Sequence, residues 1–309
     1  MSDAVLPVSS GAITPDSPLG RLMRGAIDVH VHAGPDPFHD RPLDALGLAR
    51  HAREAGMRAV VLKCHSYGTG PLARMVNQVV PDFRLVGSLV LNVGVGGLNP
   101  EVVEIAARTG AKVIWMPTYS STVDAAMRKK GGGHYPIRVS QYTPAEGISL
   151  LDRAGRLVSQ VAPILDIIQS YHLVLGTGHI SAPEIFAITE AARQREIKVT
   201  ITHPLNEISG NPLTIAQQRE LVGKGAYIEH TFIDCMPWIQ GMPPETIVEN
   251  VRAVGVEHCV LSTDFGQTIN PLPPEGFRIM LANMLRLGLS EQELEVLVKV
   301  NPARLLDLD

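Results

Sequence analysis

Two histidines two positions apart, His30 and His32, end the run Ile27-Asp28-Val29-His30-Val31-His32, which Gly34 and Pro35 close. Side chains alternate along a strand, so both imidazoles project from one face. Neutral imidazole suits zinc, iron, nickel and manganese-class ions, and a pair at a strand end is half of such a site. Other groups occupy the same kind of position. His179 ends Leu173-Val174-Leu175-Gly176-Thr177-Gly178-His179, His203 ends Val199-Thr200-Ile201-Thr202-His203, and Asp264 ends Val260-Leu261-Ser262-Thr263-Asp264. Lys63 and His65, two apart and so on one face, close Ala59-Val60-Val61-Leu62-Lys63-Cys64-His65. A lysine buried beside cations is driven towards its neutral form by desolvation and by the neighbouring charge. A neutral lysine reacts with carbon dioxide to give a carbamate that bridges two ions, which makes Lys63 the bridging candidate. Its alternatives are a cationic anchor for a substrate carboxylate or phosphate and a salt bridge to a buried acid.

Positioning such groups requires a repeated scaffold. The opening strand is followed by a helix over 43–55 closed by Gly56, and then by an apolar strand from Arg58 to His65. The alternation continues with helix 71–80 and strand 85–92, helix 100–109 and strand 111–118, and a helix near 158–171 before strand 173–179. It ends with helix 182–195 and strand 198–203, helix 213–223 and strand 226–233, and helix 244–254 and strand 258–265. Near-continuous apolar strands alternating with helices predict a parallel sheet covered on both faces. Eight strand-helix units in about 280 residues match a (β/α)8 TIM barrel, with a doubly wound open sheet as the alternative. The polar residues decide between them. They fall at the C-terminal ends of nearly every strand, and only a barrel gathers those ends at one mouth. Two C-terminal helices, near 277–287 and 290–300, complete the chain.

The long connection after the fourth strand, from Tyr119 to about Val158, contains Lys129-Lys130-Gly131-Gly132-Gly133-His134-Tyr135. It reads as a lid over the mouth or as an excursion without catalytic part. Arg138 and Tyr142 are this loop's candidates for a substrate contact, though nothing local marks them as such. His230, at the end of the seventh strand, and His65 are further substrate-binding candidates. Residues 1–24, with Pro7, Pro15 and Pro18 among small and polar residues, read as an N-terminal arm, and 25–309 as a single barrel domain. Gly94-Val95-Gly96-Gly97 lacks either nucleotide-loop pattern and reads as a turn.

His30-Val31-His32, His179, His203 and Asp264, in that order on strands one, five, six and eight, resemble the metal-binding set of the amidohydrolase superfamily. Asn301-Pro302-Ala303-Arg304-Leu305-Leu306 is similar to that family's C-terminal motif. The resemblance runs from about residue 25 to the end. It implies that His30, His32 and Asp264 bind a buried ion and that His179 and His203 bind a second, more exposed one. Zinc is the expected metal, with manganese or iron as alternatives, at one or two ions per chain. It also implies hydrolysis of an amide, lactone or ester carbonyl by metal-activated hydroxide, with Asp264 shuttling the proton and Asp264 and His203 as catalytic residues. The fourth strand, Val113-Ile114-Trp115-Met116-Pro117-Thr118, departs from the family by lacking a bridging lysine or glutamate. A mononuclear decarboxylase or deaminase on the same barrel is therefore the alternative, and a catalytically silent binding barrel is a third reading.

Composition narrows the classes further. With 45% hydrophobic residues in 309, the chain can bury a large core. A net charge of -4 and a pI near 6.3 supply no basic field for nucleic acid or an anionic membrane. Cys64, Cys235 and Cys259 are odd in number and widely spaced, which fits neither a disulfide framework nor a thiolate zinc site. The expectation is a cytoplasmic protein, without membrane or nucleic-acid partners, that acts on a small and anionic molecule and forms a homo-oligomer as such barrels often do.

Overall fold

The computed structural model describes residues 16–130, 139–207 and 212–308. Its strands are β1 (Ile27–Val31), β2 (Ala59–Leu62), β3 (Arg84–Val90), β4 (Ala111–Trp115), β5 (Val174–Gly176), β6 (Val199–Ile201), β7 (Tyr227–Thr231) and β8 (Cys259–Ser262). They form one eight-stranded sheet in sequence order, each neighbouring pair parallel. Its two ends meet through a bridge between Val31 and Phe265. Beside it, the His32 amide donates to Phe265 O at 2.8 Å and the Asp264 amide to His30 O at 2.9 Å. The sheet is thus a nearly closed (β/α)8 barrel, as the strand-end pattern predicts.

The surrounding helices are α1 (Pro18–Met23), α2 (Ala45–Glu54), α3 (Gly70–Val79), α4 (Pro100–Thr109), α5 (Thr122–Lys129) and α6 (Val161–Ser170). After them come α7 (Ala182–Arg193), α8 (Ile215–Gly223), α9 (Pro244–Val254), α10 (Pro273–Arg286), α11 (Glu291–Glu295) and α12 (Asn301–Leu306). Their starts carry the expected chemistry. Asp44 and Ser121 accept from the backbone amides three residues on, and Ser181–Glu184, Thr214–Gln217 and Ser290–Glu293 form reciprocal capping boxes.

The barrel interior is filled by Val29, Val61, Val86, Val113, Trp115 and Val260, and α12 adds Ala303, Leu305 and Leu306 to the same cluster. Asn301 fixes that helix by donating to Val256 O at 2.8 Å and Cys259 O at 2.7 Å. Lys112 and Lys198, at the starts of the fourth and sixth strands, both hold Asp307. The C-terminal segment therefore closes the floor of the barrel and leaves the opposite end as the mouth. Within the wall, the Trp115 ring lies where a methyl on Gly176 would stand, so β5 needs glycine there.

Two local expectations change. Pro18–Met23 form a helix where an irregular arm was expected; Ser17 caps it, and Leu22 and Met23 are buried because apolar side chains there reach the helical layer. The connection after β4 is not wholly irregular either. It contains α5 and folds back through a bridge between Ser121 and Ile148. Residues 131–138, including His134 and Arg138, lie outside the described residues.

Candidate metal centre

The barrel seam carries the first group of candidate ligands. His30 and His32 leave β1 where its register with β2 shifts between Asp28 and Val31. Asp264 follows β8 by two residues with φ +57°, held by its backbone bond to β1. Its Oδ1 lies 2.9 Å from His32 Nε2 and 3.2 Å from His30 Nε2. One ligand atom from each of the three residues falls within 4.8 Å of the other two. Gly266 lets the chain leave the seam at φ +135°, because a Cβ there would collide with the His32 carbonyl.

Buried acids fix this group from behind. Glu229 of β7 places Oε1 2.9 Å from His30 Nδ1, and Ser262 Oγ donates to the same oxygen at 2.7 Å. With Nδ1 engaged, Nε2 is the nitrogen His30 offers to a cation, and such carboxylate–histidine pairs orient metal ligands. Asp28 accepts from Thr263 N at 3.1 Å, Thr263 Oγ1 at 2.6 Å and His30 N at 3.2 Å, tying β1 to the residue before Asp264. It acts as an orienting group.

Lys63 and His65 share the inward face after β2. Lys63 is 1% exposed, with Nζ 3.0 Å from His30 Nε2 and 5.0 Å above the Trp115 ring. His65 stacks between His32, at 4.9 Å, and Tyr119, at 3.9 Å, and its Nδ1 lies 2.8 Å from Thr118 Oγ1. Across the mouth, the His179 and His203 rings stand 4.9 Å apart, and His203 is 6.0 Å from His30. His203 adopts φ +30°, a strained backbone of the kind found at functional sites. His179 Nδ1 is 2.7 Å from Asp124 Oδ2, which leaves Nε2 for the mouth.

The electrostatics favour a cation. Burial pushes the His32 pKa down to about 3, against the pull of Asp264. Burial likewise holds His65, His179 and His203 well below the usual histidine range, with neighbouring positive groups adding to it. Burial also lowers Lys63, opposed by Asp264, Glu229 and Asp124. Burial would raise Asp264, but His30, His32 and Lys63 outweigh it and hold the carboxyl well below its ordinary value. Neutral imidazoles around an ionised carboxylate are the donor set of a zinc, manganese or iron site. The residues present therefore fit a divalent metal.

The structure thus brings together His30, His32, Lys63, His65, His179, His203 and Asp264. His230 is different. Glu229 takes the inward position on β7, so alternation turns His230 towards the helices beside its register partner Leu261. Both of its ring nitrogens lack a partner, and burial lowers its pKa to about 4. The expected substrate contact from His230 is replaced by a wall residue, because one of two adjacent strand residues must face away. Glu229 and Asp124 escaped the sequence reading. Register of Glu229 with the inward-facing Val260 would have exposed it, whereas nothing local marks Asp124.

Beside the centre, a cavity of about 270 Å³ is lined by Phe38, His65, Ser66, Tyr119, Ser140 and Thr143. It is the size of a small-molecule subsite.

A family model covers residues 25–229 of this chain, two thirds of its length. The chain belongs to DUF6282, a family of unknown function. No curated protein matches this DUF6282 member in sequence. Among solved structures it resembles an amidohydrolase from Pseudomonas aeruginosa (12% identity, TM-score 0.57, 93% of this chain and 98% of that one). It also resembles a probable dipeptidase from the same organism (11%, TM-score 0.64, 93% and 96%). A third is an organophosphorus hydrolase variant from Deinococcus radiodurans (15%, TM-score 0.56, 91% and 93%). At such identities the likeness establishes the fold, a (β/α)8 barrel, as the strand-end pattern predicts. No helix of the described residues is long and apolar enough to cross a membrane.

Proposed function

We propose that this DUF6282 member is a metal-dependent hydrolase acting on an amide, lactone or ester carbonyl of a small molecule. The observation carrying this reading is the convergence of His30, His32 and Asp264 across the barrel seam. These three residues would hold one divalent ion, and His179 and His203 a second. A bound cation supplies Lewis acidity and an acidified water. Asp264 is ionised and its side chain is 14% exposed, against 0% for His30 and 4% for His32, so it is the member of the trio that reaches the mouth. It takes the proton from the attacking water and returns it to the leaving group. Glu229 holds the His30 ring while that happens, and the cavity by Phe38 and Tyr119 receives the rest of the substrate.

Lys63 is the candidate bridge between the ions, as a carbamate. Its buried amine and lowered pKa support this role over that of a cationic anchor. An anionic substrate was expected from Lys63, His65, His230 and Arg138. With the first two buried and shifted down and His230 turned away, charge attraction forms no part of the proposal.

The test is metal analysis joined to a panel of amides, lactones and esters. Asp264→Asn should lower turnover by at least about 100-fold, the contribution of a positioned acid-base group, with the fold retained by circular dichroism. Near-normal turnover in that variant removes the assignment. A mononuclear decarboxylase or deaminase is the second reading, favoured by Trp115 standing at the end of β4 where a bridging side chain would be. One ion per chain, with release of carbon dioxide or ammonia, would select it.

A further inference from the structure

The segment after β4 contributes one buried group with no role in the chemistry above. Asp124 lies in the first turn of α5 and is 1% exposed. Oδ2 contacts His179 Nδ1 at 2.7 Å and accepts from Ser121 Oγ at 3.3 Å, while Oδ1 is buried without a partner. Helix geometry does not explain this carboxylate. Ser121 already caps α5, accepting from the Asp124 amide at 3.1 Å. An acid in the first turn serves the helix dipole equally well when exposed. Burying it is costly, and leaving one oxygen unpaired adds to that.

We propose that Asp124 is a positioning residue for the second ion, orienting His179 so that occupancy of the His179–His203 pair and docking of α5 against the barrel are coupled. The proposal rests on the two-ion reading above. A cation on His179 draws charge through the imidazole and compensates the carboxylate behind it, the arrangement by which outer carboxylates tune metal ligands. Glu229 does the same for His30, so each ion has its own acid, one from β7 and one from α5. The backbone supports such a coupling. At the start of α5 the chain is held by Thr122 N to Ile148 O at 3.2 Å and Ile148 N to Ser120 O at 2.6 Å, and Asp124 adds a side-chain anchor to His179 beside that bridge.

The experiment is zinc titration of the metal-depleted full chain, wild type and Asp124→Asn, read by bound metal and by melting temperature. Wild type should take two ions. The variant should keep the first at unchanged affinity and bind the second about 10- to 100-fold more weakly. Its melting temperature without metal should match wild type, with only the gain from the second equivalent reduced, which a purely structural role would not produce. Unchanged second-ion affinity overturns the proposal and leaves the hydrolase reading standing. Wild type binding one ion also overturns it, and binding none overturns both. Should the variant fail to fold, amide exchange of 122–129 in wild type decides. Slowing on the second equivalent of zinc supports the coupling, and rates indifferent to it refute it.

Discussion

Adjacent residues in this barrel differ in use because the strand has two faces. Glu229 grips His30 while His230, next in the chain, points into the wall. Glu229→Gln keeps the shape and removes the charge, and should weaken the first ion by about 10- to 100-fold in a competition titration. Asp234, after β7, gives a second residue-level expectation. Burial raises its carboxyl to about 8, against the opposing bonds from Thr231 and Asn206. Unfolded, the same group titrates near about 3.9. The native state therefore retains a proton the unfolded chain has lost. Stability from this group is full below the lower value and drains as pH rises through about 8. Asp234→Asn can satisfy both neighbours without a proton to lose. Its melting temperature should rise relative to wild type between pH 5 and pH 8.5, and a constant difference would count against the assignment. At this scale the site was partly legible. His30, His32, His179, His203 and Asp264 sit at strand ends where a period of two marks them. Asp124 was not legible, because its partner His179 is 55 residues away and only tertiary packing joins them.

Elements succeed or fail by close approach. In β5, Gly176 makes room for the Trp115 ring of β4, which in turn lies under Lys63 and 5.6 Å from His30. Gly176→Ala should destabilise the fold by about 1–3 kcal/mol in denaturant unfolding, the usual penalty for overpacking a filled interior. Trp115 must shift if the variant folds, and metal affinity at His30 should fall with it. The strands themselves were readable because they are continuous apolar runs between helices. The helix α5 was not, since it lies inside a connection whose glycine-rich stretch dominates the composition. The short α1 was hidden for a similar reason, three prolines and small residues masking the two buried side chains that seat it.

For the whole molecule, the order of strand-end polar residues predicted a closed barrel over an open sheet, and the sheet order β1 to β8 agrees. Metal should then act as a ligand of the folded state alone. At free zinc one hundred times its dissociation constant, each site adds about 2.7 kcal/mol. Dialysis against a chelator should lower the melting temperature, and zinc or manganese should restore it; a melt blind to both would argue against any ion. The seam where Asp264 meets His30 and His32 has a consequence for biosynthesis. Its two sides are 232 residues apart in the chain, and translation at roughly 5–20 residues per second separates them by roughly 10 to 50 seconds. On the ribosome the histidine pair emerges early and waits without its acid. A nascent or truncated product that stops short of β8 carries only half the seat, so an ion held there would enter after synthesis is nearly done and would mark finished molecules from fragments.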